Sequence, residues 1–189
     1  MALERIGRPK ISLSQKEREL AGVINNLVES CEYMSKQKIG ALIVLENTVP
    51  LKEYIDTGTL LNAKISKDLI LSIFMNRSPL HDGAIIIKDD ILVAASCILP
   101  HSSKTSQIGW QTVSQTGSQT SSHTLGTRHK AAIGLSESTD AKIIVISEEK
   151  GTISFAQNGD LDQGIALNRL QLLLNDFFKP PRSNKKKKS

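Results

Sequence analysis

A chain of 189 residues, 39% apolar and 23% charged, is long enough for one domain with a real hydrophobic core and is ordinary in composition for a globular protein. No run approaches the roughly 20 apolar residues of a membrane-spanning helix, and "MALERIGRPK" lacks the apolar stretch of a secretory signal, so the chain as given is expected to be soluble and cytoplasmic. The formal charge of +5 resides in the tail, where Arg182 and Lys185 to Lys188 supply five positive charges; the body is neutral on this count, which argues against a nucleic-acid-binding face.

Between Leu13 and Met34, apolar residues fall at 20, 23, 24, 27, 28, 31 and 34, in steps of three and four that draw one stripe along a helix. "KIGALIVLE" (38–46) then gives a short continuous apolar run, the pattern of a strand buried on both faces. "TGTLLNAK" reads as a loop. Ser66 can cap a helix running through Phe74, with Leu69, Ile70, Ile73 and Phe74 on its buried face, and Pro79 keeps that helix from continuing. "GAIIIK" and "ILVAASCIL" are two strand-like runs joined at Asp89-Asp90, close enough for a hairpin. Residues 101–124, in which 16 of 24 are Ser, Thr or Gln, read as a polar surface insertion carrying the only tryptophan, Trp110. "RHKAAIGLSEST" predicts a helix, "AKIIVISE" and "GTISFAQ" two strands, and "DQGIALNRLQLLLNDFF" a closing helix. The alternation predicts a mixed α/β fold, a central mixed sheet flanked by helices, over 13–178, preceded by a short segment (1–12) and followed by a basic, disordered tail (179–189). Cys31 and Cys97 sit among apolar neighbours outside any C-x-x-C pair, as buried reduced thiols do.

Polar groups collect at the ends of these apolar elements, where α/β sheets hold their ligands. His81 and Asp82 precede one strand; Thr127, Arg128, His129 and Lys130 open a helix after Gly126; Ser147, Glu148 and Glu149 close a strand before Gly151. A glycine, a hydroxyl and two cations at a helix start suit an anion such as phosphate. Each cluster alone also has a plain structural reading: an Asp-Gly turn, a solvated first turn, a charged strand end.

Taken in order, "LHDGA" (80–84), "CILP" (97–100), "GTRHK" (126–130) and "SEE" (147–149), with "YMSKQKIGAL" and "LNAKIS" before or between them, resemble the diadenylate cyclase domain family, whose hallmarks are a D-G-A and an R-H-R motif. The likeness runs from about 13 to 165 and is closest to the membrane-anchored type, in which a sequence like "LERIGR" follows transmembrane helices. The resemblance implies synthesis of cyclic di-AMP from two ATP molecules with release of two pyrophosphates. It also implies a longer parent protein anchored to the inner face of the membrane, membrane contact being only through an N-terminal anchor missing here.

Carried over by position, Asp82 lies near the attacking ribose 3′-hydroxyl, with Gly83 and Ala84 lining the nucleotide site and Leu99 near the adenine. Thr127, Arg128 and His129 would hold phosphates, with Gly126 and Lys130 also counted as substrate-binding and Arg128 and His129 counted with Asp82 as catalytic. Ser147 and Glu149 complete the phosphate and metal end, where His81 and Glu149 would hold Mg²⁺ or Mn²⁺. The third motif position is Lys130 rather than arginine, a point charge in place of a planar fork. One motif set and a two-ATP reaction imply a homodimer, transient or stable, with two protomers face to face. Two other readings stand beside it: a catalytically weak or inactive nucleotide-binding sensor of the same fold, and an oligomeric scaffold.

Overall fold

The structure, a computed structural model, describes residues 13–100, 102 and 125–179. The short segment 1–12, the basic tail from 180 and the polar insertion apart from Ser102 lie outside the described residues, Trp110 among them.

Helix α1 (Leu13–Gln37) buries the predicted stripe, with Val23, Ile24, Leu27, Cys31 and Met34 in the core. It leads into β1 (Ala41–Glu46), buried at every position as a continuous apolar run requires. After the short α2 (Lys52–Ile55) comes β2 (Thr59–Lys64), where the sequence reads as loop. This segment is an edge strand, mostly exposed and broken by a register shift near Asn62 at φ 47°, so it carries no apolar alternation to betray it. Helix α3 (Lys67–Phe74) starts as predicted, Ser66 Oγ accepting the Leu69 N–H at 3.3 Å. Strands β3 (Ala84–Lys88) and β4 (Ile91–Cys97) form the expected hairpin, turning through Asp89 at φ 54°.

Helix α4 (Thr127–Ser138), β5 (Lys142–Ile146) and β6 (Ile153–Gln157) follow the sequence reading. The closing helix is shorter than predicted: α5 spans Leu167–Phe177, and Asp160–Gln163 forms an edge strand, β7. The Asn158-Gly159 turn, with both residues at positive φ, folds β7 back onto β6 before a helix can begin. Among the described residues no helix is long and apolar enough to cross a membrane.

The seven strands form one sheet in the order β2-β4-β3-β1-β5-β6-β7, antiparallel except for the β1–β3 pair. One face packs under α1, α3 and α5 through Ile43, Leu45, Ile85, Ile87, Ile144 and Phe155; the other packs under α4 and α2 through Leu42, Val44, Ile86, Ile143 and Val145. Both cysteines are fully buried, which pushes the Cys31 thiol up to about 12 and Cys97 to about 11.

At the carboxyl ends of the parallel pair sits a structural clamp. Glu46, buried in the sheet, accepts the Leu51 N–H at 3.0 Å and a Lys88 Nζ proton at 2.5 Å. Nearby, Asp140 accepts Asn47 Nδ2 (3.0 Å), Thr48 N (3.1 Å) and Val49 N (3.0 Å), fastening the loop after β1 to the turn before β5. Burial pulls the Asp140 carboxyl upward, but the Val49 and Thr48 amides outweigh it and hold it below the usual value. Because the folded state lowers this pKa, the carboxylate's contribution is present above the unfolded pKa and lost as pH falls through the folded one. Replacing Asp140 by Ala is expected to lower stability by about 1–3 kcal/mol in denaturant unfolding near pH 7, with the deficit shrinking in acid.

Candidate active site

The polar clusters singled out in the sequence meet at the other end of the sheet. β1 and β3 begin there, β4 and β5 finish there, and α4, which runs back toward the start of β5, has its N-terminus there. The carboxyl ends of the parallel pair, the usual ligand edge of parallel sheets, hold the Glu46 and Asp140 clamp instead. The N-terminus of α4 selects the opposite edge.

Intrahelical bonding in α4 begins with Lys130 N–H to Gly126 C=O, which leaves the amides of Thr127, Arg128 and His129 facing outward, with no acidic side chain in the first turn. These residues line a cleft of about 150 Å³ with Gly126, Ser147, Glu148, Glu149, Lys150 and Thr152. Lys130 is not among its lining residues; its carbonyl instead accepts the N–H of Ser102, whose buried hydroxyl reaches both Glu137 carboxylate oxygens at 3.2 Å. Ser102 is therefore fixed against α4.

Across the cleft a tight turn presents the acidic residues. Gly151 N–H donates to Ser147 C=O at 2.8 Å, and Lys150 N–H donates to Ser147 Oγ at 3.2 Å, so the hydroxyl's own proton is turned to other acceptors. Arg128 Nη1 donates to Glu148 Oε2 at 2.8 Å. Their charged ends lie over Gly40, where a Cβ would stand 2.7 Å from Nη1 and 2.8 Å from Oε2. The sequence singled out Glu149 here and passed over Gly40 and the pairing role of Glu148; the one signal was a glycine immediately before a buried strand.

His129 is half-buried, with Nε2 3.4 Å from the buried hydroxyl of Ser154. Burial, then the charges of Lys150 and Arg128, lower its pKa against the opposing pull of Glu149, so the ring is neutral at pH 7. The unfolded chain then binds this proton more readily, and stability should fall as pH drops below about 6.5, levelling off below the folded pKa. Titration by NMR is expected to find the His129 midpoint below 6.5.

His81 and Asp82 form the second cluster, beside the amino end of β3. His81 Nδ1 lies 2.6 Å from the Ser78 carbonyl, which can only accept, so Nδ1 carries a proton and Nε2 is the ring nitrogen left for another partner. Asp82 is exposed; its own carbonyl accepts Ser96 Oγ at 2.7 Å, and among the described residues no side chain donates to its carboxylate. Gly83 takes φ +105° with its Cα against the Ser96–Cys97 backbone, while Ala84 and Leu99 are buried on the α4 side of the sheet. Extending the strand registers to their ends sets Gly40 between Asp82 and Ser147, two strand spacings or about 10 Å apart in backbone terms. Both clusters thus lie within reach of one extended polar ligand.

A mixed seven-stranded sheet whose helix start, open to an anion, shares one edge with a histidine-aspartate turn defines an α/β domain with a candidate ligand cleft at that edge. The chain belongs to the family described as DisA bacterial checkpoint controller nucleotide-binding, whose profile matches residues 28–161. It is 39% identical over 181 residues to the cyclic di-AMP synthase CdaA of Bacillus subtilis, covering 94% of this chain and 61% of that protein. It is 41% identical over 176 residues to a diadenylate cyclase of Listeria monocytogenes, covering 92% of this chain and 59% of that one. A crystal structure of DacA from Staphylococcus aureus superposes with TM-score 0.74 at 35% identity, covering 85% of this chain and 98% of that chain. The chain spans about three-fifths of the length of these curated relatives.

Proposed function

We propose that this chain is a diadenylate cyclase, a nucleotidyltransferase that joins two ATP molecules into cyclic di-AMP and releases two pyrophosphates between two face-to-face protomers. The observation that carries the reading is that both motif clusters flank Gly40 at one end of one sheet, in a chain belonging to a family with curated cyclases. The Asp82 carboxylate, exposed and held through its own backbone, orients the ribose 3′-hydroxyl and takes its proton as it attacks. Arg128 and the α4 amides grip the phosphates of the nucleotide under attack, with the Ser147 hydroxyl donating from the opposite wall. Gly126 and Thr127 keep that helix start open, Lys130 adds positive charge nearby, and Gly83, Ala84 and Leu99 shape the nucleotide wall.

His81 fits a metal-binding role, since its Nδ1 bond orients the ring and leaves Nε2 as a ligand. Among the described residues no three His, Cys, Asp or Glu side chains cluster as a complete metal cage. On this reading His81 and Glu149 would be the protein groups that hold Mg²⁺ or Mn²⁺, and the ion would offset charge on the leaving pyrophosphate. Each ATP must attack the other's α-phosphate while the chain carries one motif set, so two copies meet symmetrically. Incubating the chain with ATP and Mg²⁺ or Mn²⁺, followed by mass analysis, is expected to yield cyclic di-AMP. Bound ATP without product identifies a sensor of the same fold, and neither binding nor product sinks the reading.

A further inference from the structure

We infer that Glu148 is a resident counter-ion that nucleotide phosphates must displace from Arg128, and that it thereby sets how tightly the cleft holds ATP and how readily it releases pyrophosphate. This inference rests on the reading of Arg128 as a phosphate-binding residue.

The guanidinium is fixed on two sides. Gly40 lends it a bare backbone to lie against, and Glu148 closes the contact at 2.8 Å. A carboxylate offers a guanidinium the same kind of charged oxygen acceptor that a phosphate offers, and the Nη1 proton now given to Glu148 is one a phosphate would need. The two partners differ in anchorage. The Arg128 side chain is 22% exposed and rooted in the first turn of a buried helix; that of Glu148 is 63% exposed, on the short turn between β5 and β6. When an anion enters, Glu148 is the member free to swing into water. Exposed ion pairs are weak, so exchange is easy, yet the carboxylate still competes.

The charge balance points the same way. Among the cleft's side chains, Arg128 and Lys150 are matched by Glu148 and Glu149, so the wall is formally neutral toward a polyanion. Removing one carboxylate leaves a net positive cleft. A site that must release pyrophosphate after each turnover gains from an internal anion that refills Arg128 as the product leaves.

The test is calorimetric titration of the chain with inorganic pyrophosphate, paired with steady-state kinetics on ATP. Glu148→Gln keeps a carbonyl acceptor for Arg128 and removes the charge; its Kd for pyrophosphate is expected to fall about three- to tenfold, with KM for ATP falling in parallel and product inhibition deepening. Glu148→Asp should stay near the parent value, because it retains the competing charge. In Arg128→Ala, binding should weaken, and adding Glu148→Gln should recover less than the gain seen with Arg128 present. If Glu148→Gln leaves pyrophosphate affinity unchanged or weakens it while Arg128→Ala abolishes binding, Glu148 does not compete and this inference alone fails. If Arg128→Ala binds pyrophosphate as the parent does, the phosphate-binding reading fails and takes the inference with it.

Discussion

Asp82→Asn is expected to reduce cyclic di-AMP formation by about two to four orders of magnitude while leaving ATP affinity within about threefold of the parent. Asparagine matches the shape of aspartate but cannot take the proton of the ribose hydroxyl at neutral pH. The loss should therefore appear in kcat, with little change in KM. The position tolerates the exchange because the side chain is exposed, and the turn is held through its backbone: Ser96 Oγ bonds the Asp82 carbonyl, and Gly83 supplies the positive φ. An unchanged thermal melt together with lost product is the expected pair of results. A variant that makes cyclic di-AMP at near-parent rate would show that the proton acceptor lies elsewhere in the cleft or on a second protomer.

What was legible in the sequence followed from periodicity and motif, and what was not depended on approach in space. α1, β1, α3, the β3–β4 hairpin, β5 and β6 each bury enough apolar side chain for the pattern to show. The edge strands β2 and β7 do not, since they are mostly exposed and are held by backbone pairing to one neighbour. The site behaves in the same way. Arg128, His129 and Ser147 could be named because helix starts and strand ends are visible in a sequence. Gly40 could not, because its importance arises only when the start of β1 comes beneath the tip of a side chain 88 positions further on. Nor could the pairing role of Glu148 be read beside the singled-out Glu149, since adjacent carboxylates on a turn point in different directions and only the fold decides which meets Arg128.

Gly40 and Gly83 stand near each other at the sheet end, yet alanine at each should fail in a different way. At Gly83 the backbone holds φ +105°, and a Cβ would lie 2.8 Å from both the Cys97 carbonyl oxygen and the Ser96 carbonyl carbon. Both are backbone atoms of the paired strand, with no side chain to rotate away, so Gly83→Ala should cost about 1–3 kcal/mol from conformational strain before the clash is counted. A much lower denaturation midpoint is the expected result. At Gly40 the obstructing atoms are instead the side-chain ends of Arg128 and Glu148, at 2.7 and 2.8 Å, which can rotate where backbone cannot. The fold can accept that methyl group by pushing the pair aside, so Gly40→Ala should unfold near the parent midpoint. Its cost should fall on function: with the guanidinium moved off its seat, pyrophosphate affinity and cyclic di-AMP formation are each expected to drop about tenfold or more, in keeping with the sensitivity of charged transfer sites to displacements of an ångström. A Gly40→Ala protein that folds and retains parent-level pyrophosphate binding would mean that Arg128 does its work from a position other than its seat over Gly40.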